Sequence, residues 1–149
     1  MRWTATSAVG AVSCSVVIDE RWHVCFTRRD LPDLVEYQEW LEDWDAWLDR
    51  VGVAEGTPYL LSPLFEYDVE LNSFFLSDVM QQRPVNTLAA YARDMAGFFT
   101  FLWVARDRKD WRDANEVDHL AYKAWRTKEL RRSGSTWGRE VATVNVFYT

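Results

Sequence analysis

The stretch from Asn86 to Trp103, NTLAAYARDMAGFFTFLW, constrains the fold more than any other part of the chain. Leu88, Tyr91, Met95, Phe98 and Leu102 recur at the i, i+3, i+7 spacing of one helical face. Phe99 and Trp103 widen that stripe, so the helix must be buried against several neighbours. Asn86 follows Pro84 and stands where it can cap the open N–H groups of the first turn. Arg83, Asn86, Thr87 and Arg93 crowd the positive end of this helix, which suits an anion and above all a phosphate. An ordinary capped core helix explains the same residues, so the rest of the chain has to separate the two readings.

A length of 149 residues allows one good core, or one compact domain with an extension. A hydrophobic content of 48% and an aromatic content of 15% exclude a disordered chain. No apolar run reaches the roughly 18 residues of a membrane span, and the N-terminus makes a poor signal peptide. Cys14 and Cys25 could meet across two strands, but two cysteines are no disulfide framework. No Cys/His cluster suggests a metal, and no cofactor is expected. The chain reads as a soluble cytoplasmic protein with free thiols. Its formal charge of −6 argues against nucleic acid only if averaged. Residues 1–63 carry 5 basic and 11 acidic groups, whereas from Arg83 onward 12 basic groups face 8 acidic ones, a net of +4. An acidic extension joined to a mildly basic module permits DNA binding without demanding it.

In chain order, Val12–Ile18 and Trp22–Thr27 read as strands around a polar turn at Asp19-Glu20-Arg21, forming a β-hairpin or else an ill-ordered tail. Asp30-Leu31-Pro32-Asp33 starts an acidic, Trp-rich helix with Leu34, Tyr37, Leu41, Trp44 and Leu48 on its apolar face, ended by Gly52 and Gly56. Its acidic face is either simply solvated or a surface that repels DNA or docks on a partner. Thr57–Leu64 carries two prolines and reads as an extended linker. Asp68–Gln82 reads as one helix capped by Asp68. Asp113-Ala114-Asn115-Glu116 has the form of a capping box opening a further helix, which buries Val117, Leu120, Ala121, Ala124 and Trp125 and exposes Lys123, Arg126 and Lys128. Ser135 or Thr136 caps the last helix, with Trp137, Val141, Val144 and Tyr148 along one face. That helix reaches Phe147-Tyr148-Thr149 without a stop signal, so it either packs its own end or belongs to a longer protein, the second being preferred.

From Tyr67 onward the sequence resembles the core-binding domain of phage-integrase-type tyrosine recombinases, particularly those of actinobacterial integrases. Asn86-Thr87 with Tyr91, Asp94 and Phe98 forms an N-T-x3-Y-x2-D-x3-F pattern. Trp111-Arg112-Asp113-Ala114, Tyr122 and Trp125-Arg126 continue it, and Ser135-Thr136-Trp137-Gly138-Arg139-Glu140 with Phe147-Tyr148 closes it. Each piece is weak alone; their order over about 80 residues is fairly specific. The resemblance implies a mainly α fold: a four-helix SAM-like bundle over residues 64–149, preceded by an N-terminal extension over residues 1–60.

The resemblance also implies double-stranded DNA as partner, with other recombinase protomers as a second one. In that family this module and a catalytic domain clamp DNA, and the helices beginning at Asn86 and Ser135 would face the major groove. Arg83, Asn86, Thr87, Arg93, Ser135, Thr136 and Arg139 are the expected DNA contacts, with Lys123 and Arg126 on the neighbouring helix. Asp94 is acidic on that face and is expected to orient an arginine or a backbone group. The family's arginine, histidine and tyrosine catalytic motifs are missing. His23 and His119 fit no such arrangement, Tyr148 resembles a core aromatic, and the chain itself is expected not to cut DNA. The competing class is an interaction or regulatory module built on the acidic Trp-rich helix, serving self-assembly or autoinhibition.

Overall fold

The computed structural model describes residues 19–30, 38–130 and 134–149. In chain order the elements are β1 (His23–Phe26), α1 (Gln38–Val51), β2 (Pro58–Leu61), α2 (Val69–Leu76), α3 (Asp78–Gln81), α4 (Val85–Ala105), α5 (Glu116–Leu130) and α6 (Gly134–Tyr148), with a 3-10 turn at Trp111–Asp113. The protein is mainly helical with one small antiparallel sheet.

Helix α4 is the axis of the molecule. Leu88, Ala89, Ala92, Met95, Ala96, Phe98, Phe99, Phe101 and Leu102 are all buried, so the apolar surface wraps well beyond one stripe. Helix α6 packs along it, and α5 and both strands contact it. Phe147 sits edge-on to Phe74, Phe99 and Trp111, and the Tyr148 hydroxyl donates to the Trp111 carbonyl at 2.7 Å. The aromatic end of α6 is thus packed within the described core. Gly97 keeps α4 smooth where Tyr122 leans on it: a Cβ there would lie 2.9 Å from the Tyr122 hydroxyl.

Several expectations need correction. The strand near residues 22–27 exists, but within the described residues its partner is β2, with His23 opposite Leu61 and Cys25 opposite Tyr59. Val12–Ile18 lies outside the described residues, as does Cys14; Cys25 is a free thiol. The Thr57–Leu64 stretch is extended yet is no mere linker, because Leu60 is completely buried. Asn72 explains why a strand this short holds. Its side-chain amide accepts from the Leu60 N–H at 2.7 Å and donates to the Leu60 carbonyl at 3.0 Å, imitating a neighbouring strand on the outer edge of β2. The helix expected from Asp68 to Gln82 breaks at Ser77, whose extended ψ of 148° separates α2 from α3. Asp68 does cap α2, accepting from the Leu71 N–H.

The α5 start also moves. Asn115, not Asp113, caps it by accepting from the Val117 and Asp118 N–H groups, while the Asp118 carboxylate accepts from the Asn115 N–H. This is a capping box two residues later. The helix consequently turns another face inward: Val117 and Leu120 are 66% and 64% exposed, while Asp118 and Tyr122 are buried. Asp118 is buried because Arg106 and Lys109 both converge on its carboxylate. The expected start of the acidic helix at Asp30–Asp33 falls largely outside the described residues. What is described of α1 is anchored by buried Leu48, by Arg29 bridging Asp45 and Asp49, and by the Trp44 indole N–H donating to the Arg28 carbonyl. Gly52, at φ 70°, ends it.

Replacing Asn72 by Ala leaves the buried Leu60 N–H and carbonyl without their partner. It should cost about 2–4 kcal/mol in urea unfolding, because stranded buried backbone groups carry their full desolvation penalty.

Stability should also fall in acid in two stages. Burial raises the Asp118 carboxyl, but the Lys109 and Asn115 bonds and the charges of Lys109 and Arg106 outweigh it and hold its pKa below the ordinary 3.8. Asp68 is similar: burial raises it, while the Leu71 N–H, Trp111 and Arg112 lower it further. A carboxylate whose folded pKa is depressed contributes fully above its unfolded pKa, and the contribution is lost as pH falls through the folded value. His119 lies 4.8 Å from the Phe98 ring and 5.5 Å from Tyr148, and burial pulls its pKa below 6.5 against the opposing charge of Asp118. The unfolded imidazole therefore protonates first, so stability drops as pH falls below the unfolded value. Urea midpoints from pH 8 to 3 should show a first descent beginning near ~6.5 and a second below ~4, and His119→Gln should remove only the first.

Candidate nucleic-acid interface

Contacts between α4 and α6 fix how the two expected DNA-facing helices are arranged. Asp94 bonds Arg139 and Thr143, Phe98 meets Tyr148 at 6.2 Å, and Phe99 meets Phe147 at 5.6 Å. The contacts climb both helices in the same direction, so α4 and α6 run parallel. Asp94 lies nine residues into α4, and Arg139 and Thr143 lie five and nine residues into α6. At ~1.5 Å rise per residue both N-termini therefore sit at one end of the molecule at nearly the same level. Helix α5 runs the other way against α6, with His119 near Tyr148 and Arg126 on Glu140, so its last turns approach that same end.

The caps differ from expectation, and the difference leaves the α4 terminus more open. Pro84 is the N-cap, with no side-chain cap bond, and Asn86 lies exposed inside the first turn. Pro84 offers its carbonyl to the Thr87 and Leu88 N–H groups, while the Val85 and Asn86 N–H groups have no protein partner among the described residues. Helix α6 begins at Gly134, so Ser135 and Thr136 fall inside its first turn instead of preceding it. Unfilled N–H groups and the positive helix end together attract an oxyanion.

The expected contact residues divide into two kinds. Arg83, Arg93 and Lys123 are exposed and form no ion pair among the described residues, and Thr87, in the first turn of α4, is half-buried. Arg126 is committed elsewhere: its side chain is 12% exposed, and its Nε and Nη2 both bond the buried Glu140 carboxylate. Burial lowers the Arg126 pKa, but the Glu140 bond and nearby charges raise it more, so it stays protonated. Arg139 is intermediate. One amino nitrogen donates to Asp94 at 3.0 Å, while the side chain remains 59% exposed.

The opposite end of α4 behaves differently. Arg106 and Lys109 share Asp118, and Arg112 is held by Asp68, Glu70 and Asp110. Arg106, Lys109 and Arg112 are thus neutralised locally, whereas Arg83, Arg93 and Lys123 are left available. The sequence pattern missed this contrast and the Arg126–Glu140 link, whereas Asp94, expected to orient an arginine or a backbone group, does hold an arginine, Arg139, with Thr143 as its second partner. The adjacent Arg139-Glu140 pair and the i, i+4 spacing of Arg139 and Thr143 were the available signals. Tyr148, whose hydroxyl is spent on the Trp111 carbonyl, has its phenol pushed well up by burial and by the charges of Asp110 and Asp118. Among the described residues no group of His, Cys, Asp and Glu could hold a metal ion, and no helix is long and apolar enough to cross a membrane.

Comparison with known proteins adds one relationship. Over 76 residues, half of this chain, the sequence is 37% identical to the tyrosine recombinase XerC of Roseiflexus sp. (strain RS-1). The aligned part is 24% of that protein, so the chain spans about a quarter of the relative it matches. Over that half the chain is related to a tyrosine recombinase. No protein-family model matches the chain. No solved structure matches it either.

Proposed function

We propose that this chain is a DNA-gripping module of a site-specific tyrosine recombinase of the phage-integrase type. In this reading it corresponds to the SAM-like core-binding domain, placed ahead of a catalytic domain that the chain does not include, and serves DNA integration and recombination without cutting DNA itself. The observation that carries the reading is the parallel packing of α4 and α6, which turns two positive helix ends the same way, with exposed Arg83 just ahead of α4, Arg93 and Arg139 further along the two helices, and Lys123 on α5. The recombinase relationship supports the choice of DNA over other polyanions. Arg83, Arg93 and Arg139 supply charge or bidentate contacts, Asn86, Thr87, Ser135 and Thr136 polar contacts near the helix ends, and Arg126 braces α5 against α6 from behind.

A few phosphate contacts from one small module give dissociation constants of ~10⁻⁴ to 10⁻⁶ M at physiological salt. The acidic first third weakens binding further. Arg83, Arg93 and Lys123 have no internal ion pair to lose, so changing all three to Ala should leave the melting temperature unchanged. Fluorescence anisotropy on duplex DNA should then show at least a tenfold loss of affinity, and the slope of log K against log salt should shrink by about 2.7, since each lost contact removes ~0.9. Unchanged binding would move the site elsewhere.

A second reading rests on a specific surface. Trp47 is stacked on Trp44 at 5.3 Å, is 44% exposed, and stands among Asp43, Asp45 and Asp49 on α1. This acidic aromatic face could dock on another protomer or cover the basic end of the module. A cut at residue 60 would pass through β2, so the surface change Trp47→Ala is the cleaner test. Self-association, read by analytical ultracentrifugation, should drop if α1 is an assembly surface; DNA affinity should rise if it is an autoinhibitory one; and neither should move if its acidic face is merely solvated.

A further inference from the structure

The geometry points to Asp94 as a positioning residue that holds Arg139 in its DNA-contacting pose, an inference that rests on the DNA-gripping reading. Asp94 is buried on α4, and each of its oxygens has one partner from α6: Oδ1 accepts from Arg139 Nη2 at 3.0 Å and Oδ2 from the Thr143 hydroxyl at 3.0 Å. Thr143 is itself fully buried and its hydroxyl also lies 3.2 Å from the Arg139 carbonyl, four residues back. Backbone and side chain of Arg139 are therefore both referred to the same carboxylate.

Two buried acids occupy this layer, and their partners differ in a way that separates the roles. Glu140 and Arg126 are both sequestered, and the arginine fork is used on the carboxylate. That pair is a strut. Asp94 is equally buried and also faces the charge of Arg126, but the arginine that bonds it remains mostly in solvent and gives the carboxylate a single bond. A buried carboxylate is costly unless its partner compensates it well, and an exposed guanidinium does so only in part. As a device for stability alone the pair is a poor one. As a device for aim it makes sense: one amino group is tethered, and most of the five N–H donors stay available to a phosphate. The tether also places Arg139 on the turn of α4 that carries exposed Arg93.

Positioning and simple electrostatics predict opposite signs. A carboxylate beneath a DNA-binding face repels phosphate, so on charge alone Asp94→Asn should tighten binding. If Asp94 aims Arg139, the same change should weaken it. The test is a double-mutant cycle on the full chain with Asp94→Asn, Arg139→Ala and the combination, using a fluorescein-labelled random-sequence duplex of about 30 bp across a salt series. Melting curves without DNA define a temperature at which every variant is folded.

Asp94→Asn and Arg139→Ala should each weaken binding several-fold and each shrink the salt slope by about 0.9, and the double variant should be no worse than Arg139→Ala alone. Equal or tighter binding by Asp94→Asn overturns the inference. So does a further additive loss in the Arg139→Ala background, which would show that Asp94 acts on the fold at large. Absence of any salt-dependent binding by the unaltered chain would instead overturn the DNA-gripping reading, and this inference with it.

Discussion

Phe98 and Phe99 stand side by side on α4 and are both fully buried. Successive residues on a helix point about 100° apart, so burying both rings requires cover from two directions. Phe98 is met by His119, Tyr122 and Tyr148 from the C-terminal helices, and Phe99 by Trp22 from the N-terminal strand region and Phe147 from α6. One pair of residues therefore draws both ends of the described chain onto the same helix. Such a helix cannot form the edge of a bundle. Helix α6 supplies a ring to each side, and its parallel course follows from these ring contacts taken with Asp94, about one turn earlier on α4, which meets Arg139 and Thr143 earlier on α6. The convergence of the two helix N-termini is thus a consequence of how the core is closed.

Core closure leaves polar groups that must be answered, and a few side chains answer several at once. A two-stranded ribbon is marginal by itself. Here it is held by α4 on one face and by the Asn72 amide on its edge. Four residues before Asn72 on the same side of α2, Asp68 caps the helix, accepts from the Trp111 indole N–H at 3.0 Å and takes part of Arg112. Asp118 does the equivalent work at the start of α5, closing the capping box while holding Lys109 and Arg106. Burying such carboxylates is tolerable because each meets several donors.

The sequence made the long central helix, the apolar character of α6 and the helical content legible, because residues with strong 3.6-residue periodicity or aromatic bulk dominate there. It was less informative where a polar side chain decides the outcome. Nothing in the alternation of Thr57–Leu64 reveals that Asn72, 12 residues from Leu60, will serve as the missing strand. The inward face of α5 was misjudged for a related reason: periodicity counts Val117 and Leu120 as core and Asp118 as surface, whereas two cations from the preceding turn make Asp118 the buried one. The break at Ser77 was masked by the continuous apolar run on both sides of it. Of the candidate site, the charged residues were legible by type and order, but which of them are spent internally was not. Arg126 and Arg139 look alike in sequence, and only the positions of Glu140 and Asp94 tell them apart.

That distinction bears on what the net charge of −6 means. Salt screens exposed charges over ~8–10 Å, so a polyanion senses charges near its contact surface more than those farther away. Carboxylates here are concentrated on α1 and around the C-terminal end of α4, where they answer Arg29, Arg106, Lys109 and Arg112. At the N-terminal end the two acids among the contacts, Asp94 and Glu140, are buried and each is covered by an arginine. Exposed Arg83, Arg93 and Lys123 are therefore not cancelled by those two acids, while exposed Asp78 and Glu55, the latter next to the Gly56 that approaches Val85, set the acidic background against them. Local ion pairing decides which cations stay free; the overall total does not.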